Sequence, residues 1–432
     1  MNSMNIKRVT KTTLLLAVIA MTSVPVSAYT DTWKSGSNGS SAATGGAKAA
    51  GCAPASATAT LELNNVRARI ENGGNLWQNR ASGNAFYFVP KSADAGIIGP
   101  SALFAGALWM GGYSPDNQLK LAAVRFRQDG NDFWPGPLTN TGDASVTAET
   151  CLAYNDIYRT KRLEASLHEA YYNCLADPDC DQATEFPNGY ATPTTFFEWP
   201  ALGDPTQGQD LYVAPFFDYN GDGDYQPTDG DYPGYDLDGV VDCKSKFRTD
   251  PIPLFGDENL WWVFNDKGNV HTETGGQPIG MEIRAQAFAF STNDEVNNMT
   301  FYNYVLINQG TQTLTNTFFG QWVDADLGCS NDDYVGCDVQ RGLGYAYNGD
   351  DNDESCNGVP GYGLQPPAVG VDFFEGPYQD EDGVDNPLTT DCNLAVAQKG
   401  IVYKGIGIGY GDGVTDNERF GMRAFLYHDN NN

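Results

Sequence analysis

The stretch DYNGDGDYQPTD at residues 218–229 places oxygen-bearing side chains at the spacing of a calcium-binding loop. It matches the pattern D-x-[DN]-x-[DN]-G-x5-E of such loops, except that Asp stands in place of the final Glu. Calcium takes roughly six to eight oxygen ligands, and Gly223 at the sixth position permits the sharp turn that brings them together. The predicted ligands, one through its backbone carbonyl and one through water, are Asp218, Asn220, Asp222, Asp224, Gln226 and Asp229. The alternative is a solvated acidic turn, because Asp, Asn and Gly are also common turn residues.

Further clusters of acidic residues and glycine follow this loop. Asp236, Asp238 and Asp242 come directly after it in the spacing D-x-D-G-x-x-D, and we predict that they also bind calcium. Weaker candidates lie farther along the chain: Asp324, Asp326, Asp332, Asp333, the run 350–353, Asp380, Asp382, Asp385, Asp412, Asp416 and Glu418. Several carboxylates in one loop repel each other, so these clusters favour at least one further ion. Extracellular calcium sites bind at about 10⁻⁴–10⁻³ M, which suits a structural cofactor that is saturated outside cells.

The sequence contains no pattern that is typical of a catalytic centre. Its three histidines form no H-E-x-x-H motif, and no G-x-S-x-G nucleophile motif is present. His271 and Glu273, with Asp266 nearby, form one combination of histidine and acid, which a loop hydrogen-bond network explains equally well. Ser166 and His168 lie together on a predicted helix without a third partner. We therefore predict no catalytic residues and keep a hydrolase as an alternative.

The N-terminus has the features of a secretory signal peptide. Lys7, Arg8 and Lys11 precede a short apolar segment at 14–21, and a small-residue cleavage site ends at Ala28. We predict cleavage after Ala28 and export to the medium or the cell surface. No later stretch has the roughly eighteen apolar residues of a membrane span, so we predict that the mature chain does not insert into a membrane.

The net charge of the chain argues against negatively charged partners. The 432 residues include 55 acidic and 25 basic side chains, which gives a formal net charge of −30. Nucleic acids and anionic membrane surfaces would repel such a protein. The acids occur in clusters with Gly and Asn, which fits bound cations better than a disordered acidic tail.

Nine cysteines are consistent with an exported protein that forms disulfides. Cys174 with Cys180, and Cys329 with Cys337, are close enough in sequence for local bridges. Spacing does not determine the connectivity, and the odd number leaves at least one thiol free or paired between chains. The alternative is that several of the cysteines are buried free thiols.

The distribution of residue types along the sequence predicts a mainly β protein with an antiparallel, β-sandwich-like architecture. Residues 29–60 are rich in Gly, Ser, Ala and Thr and are predicted to be a flexible linker. A β-rich region at 61–200 contains hairpins at 102–124 and one amphipathic helix near 150–175, ended by Asp177 and Pro178. Its apolar stripe, expected to face the core, comprises Ile157, Leu163, Leu167, Ala170, Tyr171 and Cys174. The region 201–432 holds the calcium loops and long strands at 281–290, 299–307 and 317–323.

Several longer strings occur together in a characteristic order. They are VRARIENGGNLW at 66–77, FAGALWMGGY at 104–113, LKLAA at 119–123, GNDFWPGP at 130–137, NLWWVFNDKGNVHTETGG at 259–276, GCDVQRGLGYAYNGD at 336–350 and PPAVGVDFF at 366–374. From about residue 61 onward the chain resembles the N-terminal region of large secreted proteins of the Bacteroidota that carry a C-terminal sorting domain for type IX secretion. The resemblance implies export and implies no catalytic residues. This chain differs by a Cys-containing insertion at 236–253 and by lacking the sorting domain, so we expect the protein to continue beyond residue 432.

These observations predict a secreted or cell-surface structural or adhesive module that is stabilised by calcium and has no catalytic activity. Its partners would be surface glycans or other cell-surface proteins. The alternative is a carbohydrate-binding or carbohydrate-active protein, in which tryptophans stack on sugar rings. The tryptophans considered for that role are Trp134, Trp199, Trp261, Trp262 and Trp322.

Overall fold

A computed structural model describes residues 50–92, 99–125, 130–237, 255–374, 376–377 and 420–428. Several predictions lie outside these residues, namely the signal peptide at 1–28, the linker up to residue 49, and the cation ligands Asp238, Asp242, Asp380, Asp382, Asp385, Asp412, Asp416 and Glu418.

The described residues form short and long strands with few helices. The first strands are β1 Thr58–Leu61, β2 Arg67–Glu71, β3 Asn75–Leu76, β4 Gln78–Asn79, β5 Asn84–Ala85, β6 Tyr87–Phe88, β7 Ala105–Tyr113, β8 Leu119–Ala122, β9 Trp134–Pro135, β10 Tyr158–Lys161, β11 Phe216–Phe217 and β12 Tyr232–Pro233. The later strands are β13 Glu258–Asn265, β14 Met281–Ala289, β15 Phe301–Asn308, β16 Thr315–Asp324, β17 Asp333–Asp338, β18 Leu343–Asn348, β19 Asn352–Asp353, β20 Gly363–Leu364 and β21 Ala368–Asp372. The α-helices are α1 Ala148–Ala153, α2 Arg162–Ala176, α3 Gln182–Glu185 and α4 Thr194–Glu198. Short 3-10 helices cover Pro205–Gln207, Pro227–Asp229, Glu295–Asn298, Ser330–Asp332 and Val339–Arg341.

Three antiparallel sheets organise the long strands. The first sheet has the order β1-β2-β3-β7-β16, with β6 beside β2 and β8 beside β7. The second has the order β10-β13-β14-β15, with β9 beside β13, and the third has the order β17-β18-β21. Every strand pair in these sheets is antiparallel. The prediction of a mainly β protein with antiparallel sheets is confirmed.

One large apolar cluster contains residues of both of the first two sheets. It contains Ile70 and Met110 from the first sheet and Trp262 and Ile283 from the second. Val371 of the third sheet is partly buried against the same cluster. Removing this apolar surface from water supplies the main stabilisation of the fold, and the sheets share it.

The chain moves from one large sheet to the other between β15 and β16. β15 pairs with β14 in the second sheet, whereas β16 pairs with β7 in the first, from Thr315 opposite Tyr113 to Asp324 opposite Ala105. The predicted strands at 281–290, 299–307 and 317–323 are therefore present, and the turn at 308–310 connects two sheets. The predicted hairpin within 102–124 is confirmed as the pair β7 and β8.

The single helix predicted at 150–175 is wrong in two respects. Residues 158–161 are extended because they pair with β13, where Tyr158 lies opposite Trp261. In α2 the buried side chains are Ala165, His168 and Cys174, whereas Leu163 is 69% exposed. Leu167 is also exposed, and of the six residues predicted to face the core only Ile157 and Cys174 are buried. The predicted end of the helix is confirmed, because Asp177 is its C-cap.

The flexible linker predicted to reach residue 60 is wrong for the residues described. Cys52 is 2% exposed and forms a disulfide with Cys151, and β1 pairs with β2. The backbone N–H of Cys52 also donates to the carbonyl oxygen of Gly268 at 3.1 Å. This small-residue segment is anchored by a covalent bond and by backbone hydrogen bonds, which composition does not reveal.

The predicted bridge between Cys174 and Cys180 is confirmed, and the one between Cys329 and Cys337 is wrong. Cys329 pairs with Cys356, because β17 extends away from Cys329 and carries Cys337 along the sheet. Cys337 is a free and exposed thiol. Cys243 and Cys392 lie outside the described residues. Among the helices that the structure describes, none is long and apolar enough to cross a bilayer.

Candidate metal centre

The predicted calcium loop runs from the end of β11 to the beginning of β12. Asp218 is fully buried, whereas most of the other predicted ligands point into solvent. The exposed ones are Asn220, Asp222, Asp224, Gln226 and Asp229, the last of these in the 3-10 helix Pro227–Asp229. Asp236, which follows β12, is partly buried. Among the described residues, the acidic side chains predicted as ligands in 218–229 do not already form a group of three that could hold a metal ion.

Hydrogen bonds between side chains and the backbone hold the loop in shape. The two carboxylate oxygens of Asp218 accept the N–H groups of Gly221 at 2.7 Å and Gly223 at 2.9 Å. Asn220 Oδ1 accepts from the N–H of Asp222 at 2.9 Å, and Asp222 Oδ1 accepts from the N–H of Asp224 at 2.8 Å. A carboxylate oxygen has more than one lone pair, so these bonds leave room for a cation. They are also the bonds of an acidic turn.

Asp231 is a buried carboxylate of this loop that lies beyond the twelve-residue pattern. It is 0% exposed and accepts the N–H groups of Tyr219 and Gln226, both at 2.8 Å. Burial, with a smaller contribution from the charges of Asp218 and Asp222, raises its pKa to about 6. Asp231 can be recognised as part of this site only from the tertiary structure, because its side chain folds back onto the start of the loop.

A second group of carboxylates lies where the first and third sheets meet. Asp324 and Asp326 are at the end of β16, while Asp332 and Asp333 are at the beginning of β17. Asp353, at the end of β19, completes what we call the Asp324 cluster. It is 1% exposed, and its two oxygens accept the N–H groups of Cys329 at 3.0 Å and Tyr362 at 2.6 Å.

Two oxygen atoms of the Asp324 cluster are buried without a hydrogen bond. They are Oδ1 of Asp332 and Oδ1 of Asp333. Their companion oxygens are satisfied, because Asn348 donates to Asp332 Oδ2 and the N–H of Leu327 donates to Asp333 Oδ2, both at 2.8 Å. An unpaired buried acceptor is costly, so a ligand that binds oxygen would stabilise this position.

The ionisation of the Asp324 cluster is unfavourable in the chain alone. Burial raises the pKa of Asp324 to about 7, and the charge of Asp326 adds to this effect. Burial likewise raises the pKa of Asp326 to about 6 and that of Asp333 to about 7. The further charges that raise the pKa of Asp333 are those of Asp326, Asp332 and Asp353. The charged groups acting on these three aspartates are thus themselves acidic.

Within the described ranges, no three Asp, Glu, His or Cys side chains already form a group that could hold a metal ion. Side chains of the Asp324 cluster would have to turn towards a common point. The donor set fits a hard cation, because it consists of carboxylate oxygens.

The combination of His271, Glu273 and Asp266 is a buried structural network. The ring nitrogens of His271 contact the carbonyl oxygens of Leu121 at 2.7 Å and Asp266 at 2.5 Å. The Asp266 carboxylate accepts the N–H groups of Ile279, Gly280 and Met281. Glu273 pairs with Arg125 at 2.7 Å. These internal hydrogen bonds and the ion pair support the hydrogen-bonding alternative.

His168 is also a core residue. It is 0% exposed, its Nδ1 lies 2.7 Å from the hydroxyl oxygen of Tyr190, and burial lowers its pKa to about 4. The tryptophans considered for sugar stacking are mostly buried as well. Trp134, Trp199, Trp261 and Trp262 are at most 4% exposed, and Trp322 stacks on Trp109 at a centroid distance of 5.9 Å.

Comparison of the chain with protein-family models, with curated proteins and with solved structures finds no match in any of the three.

Proposed function

We propose that this chain is a calcium-stabilised structural or adhesive module of β-sandwich type that is exported to the cell surface or medium. The observation that carries the calcium part is the Asp324 cluster, with its two buried and unpaired carboxylate oxygens. The first and second sheets, with a shared apolar cluster, support the sandwich interpretation. Three disulfides and the predicted signal peptide support export.

Calcium suits the Asp324 cluster for reasons of charge and ligand type. A divalent cation would neutralise carboxylates whose ionisation is otherwise opposed by burial and mutual repulsion. Asp332 and Asp333 would hold the ion, and Asp324 and Asp326 would contribute charge. In the loop at 218–231, Asp218 and Asp231 are the buried pair that a second ion would neutralise. Calcium would supply cross-links between the segments that carry these carboxylates.

Thermal unfolding of the purified chain tests this proposal. We expect about 2 mM CaCl₂ to raise the melting temperature relative to excess EGTA, because a ligand that binds only the folded state stabilises it. Asp333→Asn should reduce the rise, and Asp218→Asn should reduce it if the second ion binds. Asp179→Asn, at an exposed aspartate outside both groups, is the matched control and should leave the rise unchanged.

Equal melting temperatures in calcium and EGTA would contradict the calcium proposal. If calcium raised the melting temperature of Asp333→Asn as much as that of the control, the Asp324 cluster would not be a calcium site. Export has a separate test: N-terminal sequencing of the protein recovered from its host should begin at residue 29.

A further inference from the structure

The outward face of the third sheet carries a group of tyrosines, of which Tyr334 and Tyr347 are exposed and Tyr345 is partly exposed. Cross-strand pairing places Tyr334 of β17 opposite Tyr347 of β18, and Gly336 opposite Tyr345. The alternate residues of β18, Ala346 and Asn348, are buried, so the tyrosine side faces away from the core. Tyr334 is 59% exposed and Tyr347 is 42% exposed. We call Tyr334, Tyr345 and Tyr347 the tyrosine face.

Glycines allow these rings to lie along the surface of the sheet. A Cβ atom on Gly336 would lie 2.5 Å from Cζ of Tyr345, and one on Gly349 would lie 2.6 Å from Cε2 of Tyr334. Each ring therefore lies over the backbone of a glycine, in space that a side chain at that position would occupy. Tyr334 and Tyr347 are stacked at a centroid distance of 6.0 Å and an angle of 27°. Tyr345 lies 6.0 Å from Tyr347. The planes of Tyr345 and Tyr347 are inclined by 41°, and the three rings together form an aromatic surface.

Carboxylates border the tyrosine face at one end. Leu343 lies opposite Asp338 on one neighbouring strand and opposite Asp372 on the other. Since side chains alternate along a strand, both aspartates project on the same side as the three tyrosines. Asp338 forms an ion pair with the Arg341 guanidinium, which is 75% exposed. The carboxylates of Asp338 and Asp372, which can accept hydrogen bonds, and the guanidinium of Arg341, which can donate them, thus lie beside the aromatic surface.

We propose that the tyrosine face binds a neutral oligosaccharide, with sugar rings stacked on Tyr345 and Tyr347 and hydroxyl groups donating to Asp338 and Asp372. This inference rests on the proposed surface role and names its ligand class. Flat aromatic rings bind the apolar face of a sugar, and carboxylates accept its hydroxyl groups.

Charge argues against other occupants of this face. The chain carries a net charge of −30, and two aspartates border the tyrosines. A sulfated or uronic-acid polysaccharide, or a nucleic acid, would be repelled. A second copy of the chain would bring the same charge and the same aspartates to the contact. A neutral ligand rich in hydroxyl groups matches both the aromatic surface and the acceptors.

Binding to a panel of neutral and sulfated polysaccharides, with the full chain in CaCl₂, tests the proposal. For the best neutral ligand, calorimetry should show a Kd that is about 3- to 10-fold weaker for Tyr347→Ala and about 10- to 100-fold weaker for Tyr345→Ala with Tyr347→Ala. Tyr347→Phe should bind within about 3-fold of the unchanged chain, because it keeps the ring. Asp338→Asn should weaken binding by removing a charged acceptor. Tyr113→Ala, at a tyrosine that is 39% exposed elsewhere, is the control and should not change the Kd.

Three results would overturn the proposal: no binding to any neutral polysaccharide, preference for the sulfated ones, or equal Kd values for Tyr347→Ala and Tyr113→Ala. Light scattering that shows a dimer lost in Tyr347→Ala would assign the face to self-association and would also overturn it. The calcium proposal has its own readout. If the melting temperature depends on calcium but no sugar binds, only the proposal of glycan binding is contradicted. If sugar binds but calcium does not change the melting temperature, only the calcium proposal is contradicted.

Discussion

Carboxylates with raised pKa values are the main feature of this protein at the scale of single residues. Asp324 and Asp333 have pKa values of about 7, and Asp326 and Asp231 have values of about 6, mainly because they are buried. Most surface aspartates ionise without such a penalty. These four aspartates lie at two of the places where the sequence clusters acidic residues.

The stability of the protein without calcium should fall as the pH rises from about 4 to about 7. The folded-state pKa values exceed the ordinary value of 3.8, so the folded protein binds more protons than the unfolded chain in this window. We expect the melting temperature in EGTA to fall by about 5 °C or more across the window. Calcium bound to the ionised carboxylates, as proposed above, should flatten the profile.

Melting curves at several pH values, with EGTA and with CaCl₂, measure this effect. His168 opposes it, because its lowered pKa makes stability rise with pH between about 4 and 6.5. That contribution is present in both conditions and cancels in their difference. Asp324→Asn with Asp333→Asn should flatten the EGTA profile, and parallel profiles in EGTA and calcium would contradict the expectation.

Gly328 should be indispensable to the Asp324 cluster. It has a φ of +70°, and a Cβ there would lie 1.9 Å from Oδ2 of Asp353. We expect Gly328→Ala to destabilise the protein by about 4 kcal/mol or more and to abolish the calcium response, because Asp353 must move. Gly358→Ala is the control, with a φ of +82° and no atom near the added Cβ. It should cost about 1–2 kcal/mol and keep the calcium response. Equal urea midpoints for the two variants would contradict this assignment.

At the scale of elements, strands were easier to predict from the sequence than helices or cysteine pairs. The segment 281–290 reads as a strand because β-forming and apolar residues fill it, and β14 occupies it. Residues 158–161 lie within a helical pattern, but pairing with the buried β13 overrides that local preference. The partner of Cys329 and the burial of Asp231 depend on how distant segments meet, and sequence spacing does not encode either.

The disulfide between Cys52 and Cys151 should contribute more stability than the one between Cys174 and Cys180. Their sequence separations are 99 and 6 residues, and a longer closed loop restricts the unfolded chain more. We expect Cys52→Ser with Cys151→Ser to cost about 3–5 kcal/mol. The corresponding double variant of Cys174 and Cys180 is the control and should cost clearly less. Chemical denaturation measures both, and a larger loss for the short bridge would contradict the expectation.

At the scale of the whole molecule, one apolar cluster joins the three sheets. Because Ile70, Trp262 and Val371 contact the same cluster, loss of one sheet exposes the apolar surface of the others. We expect a single cooperative transition in calorimetry, with equal calorimetric and van't Hoff enthalpies in CaCl₂. Two resolved transitions in CaCl₂ would show that the third sheet unfolds independently.

The bridge between Cys52 and Cys151 also determines how the protein responds to mechanical force. When the chain is pulled from its two ends, tension passes from Cys52 directly to Cys151 through the sulfur atoms. The segment between them, which spans a sequence separation of 99 and includes β1 to β9, should bear no load. At roughly 3.3–3.6 Å per residue, about 340 Å of chain length stays hidden until the bridge is reduced. Under tension the oxidised molecule should therefore extend less than its reduced form, in which the segment between the two cysteines can also be stretched.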